Sequence, residues 1–153
     1  MSLTRRTALG MLLAAAANAA ANAAAPPHRD RSIVLFTTEP DPDMSLATLD
    51  LRKLYLGFTV RHEGHQLRPI RNRCDETLDA VFLQYVMAMS EEIYERRLLE
   101  LSLQQGRPRP IEVTSLDELI RAMAVAPHSV SFAWSTDLAR IPGAHPIRVL
   151  WRA

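Results

Sequence analysis

The chain reads as an α/β protein: a single three-layer lobe with a mostly parallel sheet of about four to five strands and helices on both faces. Three observations lead there. Short apolar, β-rich runs, of which Ile33-Val34-Leu35-Phe36 is the clearest, have the pattern of strands buried on both faces. Stretches with apolar residues at helical spacing lie between those runs, an alternation that calls for a sheet covered on both sides. The 153 residues, 48% hydrophobic and 23% charged, are one domain's worth of ordinary globular composition.

Residues 1–25 have the pattern of an export signal, which leaves 26–153 as the lobe. Arg5-Arg6 precedes an alanine-rich apolar run from Ala8 to Ala17, and Ala21-Asn22-Ala23 supplies the small residues of a cleavage site. Thr4-Arg5-Arg6-Thr7-Ala8-Leu9 is similar to a twin-arginine signal. The apolar core is short for a membrane span, so the expected destination is the periplasm. Cys74 is the only cysteine, so no internal disulfide forms, and a half-buried, inert thiol is expected.

The first folded unit is strand, turn and helix. Pro40, Asp41, Pro42 and Asp43 end the strand, because proline fixes φ and lacks an N–H. Ser45 or Thr48 can cap the following helix, and Asp50 suits its first turn. Leu51, Leu54, Tyr55 and Phe58 form one apolar face, and Gly57 is a natural stop. Arg61-His62-Glu63-Gly64-His65 reads as a turn. Its two histidines lack a third ligand at a recognisable spacing, so a solvated turn is expected there rather than a metal site. Gln66 to Asn72 is then a strand, with Pro69 near an edge or strand end.

The stretch Arg71-Asn72-Arg73-Cys74-Asp75-Glu76-Thr77 leads into a helix with the apolar stripe Leu78, Val81, Phe82, Tyr85, Val86 and Met89. A helix start presents unpaired N–H groups and suits an anion. Arg71, Asn72, Arg73 and Thr77 are therefore the candidate ligand contacts. Asp75 and Glu76 argue for the ordinary alternative, in which Asp75 caps the helix and these acids pair with the arginines. Ser90 opens a further helix with Tyr94, Leu98 and Leu101 inward, ending at Gly106. Arg107 to Pro110 is an extended connector. Ser115 and Glu118 form a capping box for a helix stopped by Pro127. Ser129 to Trp134 alternates as a strand, Ser135 to Ile141 holds one short helical turn, and Ile147 to Trp151 is the last strand.

In a mostly parallel sheet, ligands sit beyond the carboxyl ends of the strands, which nominates the loops after Phe36, Asn72 and Trp134. Without its leader the chain holds 16 basic and 17 acidic groups, and that balance offers no field for nucleic acid. Lys53 is the only lysine; the other basic groups are arginines, suited to fork-like pairing with carboxylates or phosphates. Neither a nucleophile with its base nor a metal quartet is visible, so no enzyme and no cofactor are expected.

Several landmarks, in order, resemble the small single-lobe relatives of phosphate-type periplasmic solute-binding proteins. Leu51-Arg52-Lys53-Leu54-Tyr55-Leu56-Gly57 is similar to the family's "L..IFLG", and Pro69-Ile70 to its strand before the ligand loop. Phe82 through Val86-Met87-Ala88-Met89-Ser90 resembles "F...VL.MS", and Gly106 to Pro110 resembles "G.G.PP". Ala126-Pro127-His128-Ser129-Val130-Ser131-Phe132-Ala133 resembles "..PGAIGYV". The resemblance implies half of a type 2 periplasmic-binding fold with phosphate as the family's ligand. It departs from the family at Glu76-Thr77-Leu78, where the family reads Ser-Gly-Thr, and at His128 and Ser131, which replace glycines. The functional expectation is an exported solute-binding-like module for phosphate or another small anion, in transport or sensing. The alternative is a periplasmic interaction or sensory accessory protein that has lost ligand binding and docks on a membrane transporter or receptor.

Overall fold

The structure is a computed structural model and describes residues 31–41 and 43–153; the expected export signal lies outside the described residues. A five-stranded sheet forms the middle layer. In chain order the strands and helices are β1 (Ser32–Thr37), α1 (Thr48–Tyr55), β2 (Arg61–His62), β3 (His65–Gln66), β4 (Arg68–Asn72), α2 (Glu76–Val81), α3 (Glu91–Gln105), β5 (Ile111–Val113), α4 (Leu116–Val125), β6 (Ser129–Trp134) and β7 (His145–Arg152). The sheet order is β5-β4-β6-β1-β7, and β2 and β3 form a separate hairpin.

Alternation along β1 sends Ile33 and Leu35 to one face and Phe36 to the other. The first face carries α1, α2 and α3 over Ile33, Leu35, Val130 and Phe132. The second carries α4 over Phe36, Ile70 and Ala133, with Leu119 and Met123 facing in. All six residues of β6 are buried, since both faces of the sheet are covered there. The expected α/β lobe with helices on both faces is the one observed.

Strand direction differs from the expectation. β4 runs parallel to β5 and β6, but β1 is antiparallel to β6 and β7, so the sheet is mixed rather than mostly parallel. The chain passes from β1 to β4 through a helix and a hairpin instead of one crossover helix, and β4 enters the sheet opposite to β1. One consequence reaches the site: the carboxyl end of β1 lies at the other rim from those of β4, β5 and β6. The loop after Phe36 therefore does not join the loops after Asn72 and Trp134.

Local chemistry explains most element ends. Asp75 caps α2 by accepting from the N–H groups of Thr77 and Leu78, and Ser90 and Ser115 cap α3 and α4. The N-cap of α1 is Ala47, without a side-chain cap; the hydroxyl of Thr48 instead accepts from Arg148 at 2.8 Å. Glu118 reaches back to the N–H and hydroxyl of Thr114 as well as to the backbone of Ser115. Gly57, at φ +82°, turns the chain where a Cβ would meet the carbonyl oxygen of Pro108 at 2.3 Å, so glycine is required on both counts.

The helix expected from Leu78 to Met89 is interrupted. After α2 the backbone widens into a π-helical segment, Phe82–Met87, closed by Ala88 at φ +58°. The wide turn rotates the stripe: Phe82, Leu83, Val86 and Met87 are buried while Tyr85 is exposed. Strand β5 is a further difference. It is a three-residue edge strand behind two prolines, too short to show a period in sequence.

Candidate functional site

β4 leads to α2 on one face of the sheet, and its neighbour β5 leads to α4 on the other. Where adjacent strands send their helices to opposite faces, a crevice opens beyond their carboxyl ends. A cleft of about 560 Å³ lies there, lined by residues that include Asn72, Cys74, Asp75, Ser115, Asp137 and Arg140. Two helix starts border it, and both are occupied from within. Asp75 Oδ1 accepts from Thr77 N at 2.8 Å and Leu78 N at 3.0 Å, and its Oδ2 accepts from the Trp134 indole at 3.2 Å. Ser115 Oγ accepts from Glu118 N at 3.2 Å.

Burial alone would push the Asp75 carboxyl up. The hydrogen bonds from Leu78, Trp134 and Thr77 and the charge of Arg31 outweigh it and hold the group below its ordinary value. Cys74 at the mouth is exposed rather than half-buried. Partial desolvation, with Glu118 and Asp137 nearby, pushes its thiol up to about 11, so it stays protonated and weakly nucleophilic at neutral pH.

The fold divides the four candidate contacts: Arg71 and Arg73 share one set of carboxylates, while Asn72 and Thr77 stand apart from it. Asn72 lines the crevice, buried, donating to the Phe132 carbonyl at 2.9 Å and accepting from Cys74 N at 3.0 Å. Thr77 is exposed in the first turn of α2. Arg73 lines a separate groove with Glu76, Met89 and Glu91.

Arg71 is fully buried, at 0% exposure. Its Nε and Nη2 donate to the two carboxylate oxygens of Asp79 at 2.9 and 2.7 Å, a bidentate pair. Its Nη1 donates to Glu95 at 2.7 Å and Glu112 at 3.1 Å, and the guanidinium lies 4.8 Å over the Tyr94 ring. Arg73 donates to Glu91 at 2.9 Å and Glu112 at 3.2 Å, and Arg109 pairs with Glu95. Burial would lower the Arg71 pKa, but the Asp79 hydrogen bond and surrounding charges raise it above its ordinary value.

The acids that take up the arginines are thus not Asp75 and Glu76, as the self-paired alternative in the sequence suggested. They are Asp79 on α2, Glu91 and Glu95 on α3, and Glu112 on β5. Glu91 and Glu95, four apart on one helix face, carried a detectable signal of spacing; nothing local pointed that face at Arg71.

The architecture is that of a single periplasmic-binding-like lobe. Among solved structures it is similar to PstS from Borrelia burgdorferi, with a TM-score of 0.52 and 16% identity. The match covers 77% of this chain and 47% of PstS, so the chain spans about half the length of that protein. At this identity the likeness shows the fold. No protein-family model matches the chain, and no curated protein matches it. Among the described residues no helix is long and apolar enough to cross a membrane.

Proposed function

We propose that the chain is an exported solute-binding-like lobe that serves as an interaction or sensory accessory, docking on a membrane transporter or receptor rather than carrying phosphate. The observation that carries this reading is the Arg71 cluster. Four guanidinium hydrogen bonds that would otherwise greet a phosphate are made to Asp79, Glu95 and Glu112. An anion entering there must displace a buried bidentate carboxylate and then face the others as like charges. Asp75 similarly fills the start of α2.

The crevice favours a second reading, a module for phosphate or another small anion. Arg31, Asn72 and Arg140 line the cleft. Calorimetry with phosphate and with sulfate at low salt separates the two. The accessory reading expects no heat at millimolar anion, together with a partner captured by crosslinking in the periplasm. Submillimolar phosphate binding that is lost in Arg140→Ala would replace it with the anion module.

A further inference from the structure

At the rim opposite the crevice, the loop after β1 meets the β2–β3 hairpin. Asp41, His62 and Glu63 each place one ligand atom within 4.8 Å of the other two, the one such group among the described residues. Atoms so spaced lie at most about 2.8 Å from a common centre, while zinc takes nitrogen and oxygen ligands at roughly 2.0–2.2 Å. Contraction by less than about 1 Å, between a loop and a tight turn, closes that gap.

A second, independent observation concerns His62. Its Nε2 is sealed from solvent and is the one buried side-chain polar atom among the described residues without a hydrogen bond. It nevertheless lies 2.8 Å from Oδ2 of Asp41. The ring nitrogen and the carboxylate oxygen approach closely without the alignment of a hydrogen bond; a shared cation has no such directional demand. The other imidazoles of the same 380 Å³ cleft lie outside this three-residue group: His128 is 2.9 Å from a Glu39 oxygen and stacks on His65 at 4.1 Å. His62 is left as the nitrogen donor.

We propose that Asp41, His62 and Glu63 form a binding site for a divalent transition ion of the zinc class, water completing its coordination. One imidazole with two carboxylates suits such an ion better than magnesium or calcium, which prefer all-oxygen sets. The site is separate from the crevice, and its test does not depend on the function proposed there.

The tag-free chain is titrated with Co²⁺ alone, read by visible absorption, and with Zn²⁺ alone, read by calorimetry. One ion per chain is expected. His62→Ala and Glu63→Gln are each expected to weaken it at least tenfold, since even supporting residues around a metal cost about 10–100-fold. Glu63 is exposed in a turn, so its variant stays informative if His62→Ala fails to fold. No binding, or wild-type affinity in either folded variant, overturns the proposal.

Discussion

Two charged clusters sit at different places on this lobe and differ in what they leave unmet. Around Arg71, β4, α2, α3 and β5 each contribute a charged group, and the guanidinium's donors are taken up by carboxylates under packed helices. Around His62, a loop and a hairpin bring donor atoms together and leave a buried ring nitrogen without a hydrogen bond. A buried charge that is fully paired holds elements in register. A donor atom with unmet capacity is where a ligand is to be sought. Arginine-rich spacing ahead of a helix suggested the first cluster as the binding site, and the contrast moves that expectation to the second.

Breaking the first cluster should have the largest effect. Arg71→Met removes the partner of a buried carboxylate and leaves Glu95 and Glu112 with fewer counter-charges. A loss of about 3–5 kcal/mol in urea unfolding is expected, the range for removing one member of a buried pair. The double variant Arg71→Met with Asp79→Leu should recover a substantial part, because a buried pair replaced by apolar groups is often near neutral. A single-variant loss below about 1 kcal/mol would mean that solvent reaches the cluster and that it does not clamp α2 and α3 to the sheet.

The crevice lies between the two extremes, with its helix starts satisfied at the surface. Asp75→Ala should cost about 1–2 kcal/mol, since it removes an N-cap and also the acceptor of the Trp134 indole. Asp75 and Glu118 both titrate below their ordinary values in the folded chain. The unfolded chain therefore binds their protons more readily. Their contribution is whole above the unfolded carboxyl pKa values near 4 and is lost as pH falls through the lower folded values. The melting temperature should fall as pH drops from about 5 to about 3, and less steeply in Asp75→Asn. An equal slope in that variant would show that other carboxylates govern the acid limb.

The contrast also marks what was legible in the sequence. The Asp75, Ser90 and Ser115 caps, the glycine turn at Gly57 and the buried run of β1 were readable, because each depends on a residue and its near neighbours. The direction of β1 against β4 was not, since alternation of strands and helices does not specify which way a strand enters. The π-helical segment after Val81 was not either: its pattern is that of an ordinary helix until one residue is looped out. Arg71 was read as a ligand contact, and the carboxylates that it meets instead lie 8, 24 and 41 residues away, beyond the reach of any local pattern. His62 was set aside for want of a third ligand, and Asp41, on a loop before α1, carries no spacing that announces it.

The smallest expected effect sharpens the comparison most. With a chelator present, His62→Ala should change stability by no more than about 0.5–1 kcal/mol, because its ring nitrogen makes no hydrogen bond to lose. With Zn²⁺ at about a hundred times its dissociation constant, the wild-type chain should gain roughly 2.7 kcal/mol and the variant much less, because only the folded site holds the ion. The stability difference between the two proteins would then appear on adding metal and vanish on removing it. Arg71 variants should show no such dependence, since their deficit is internal. A loss above about 2 kcal/mol for His62→Ala with chelator present would show Asp41 already satisfying the imidazole, and the two clusters would then be of one kind.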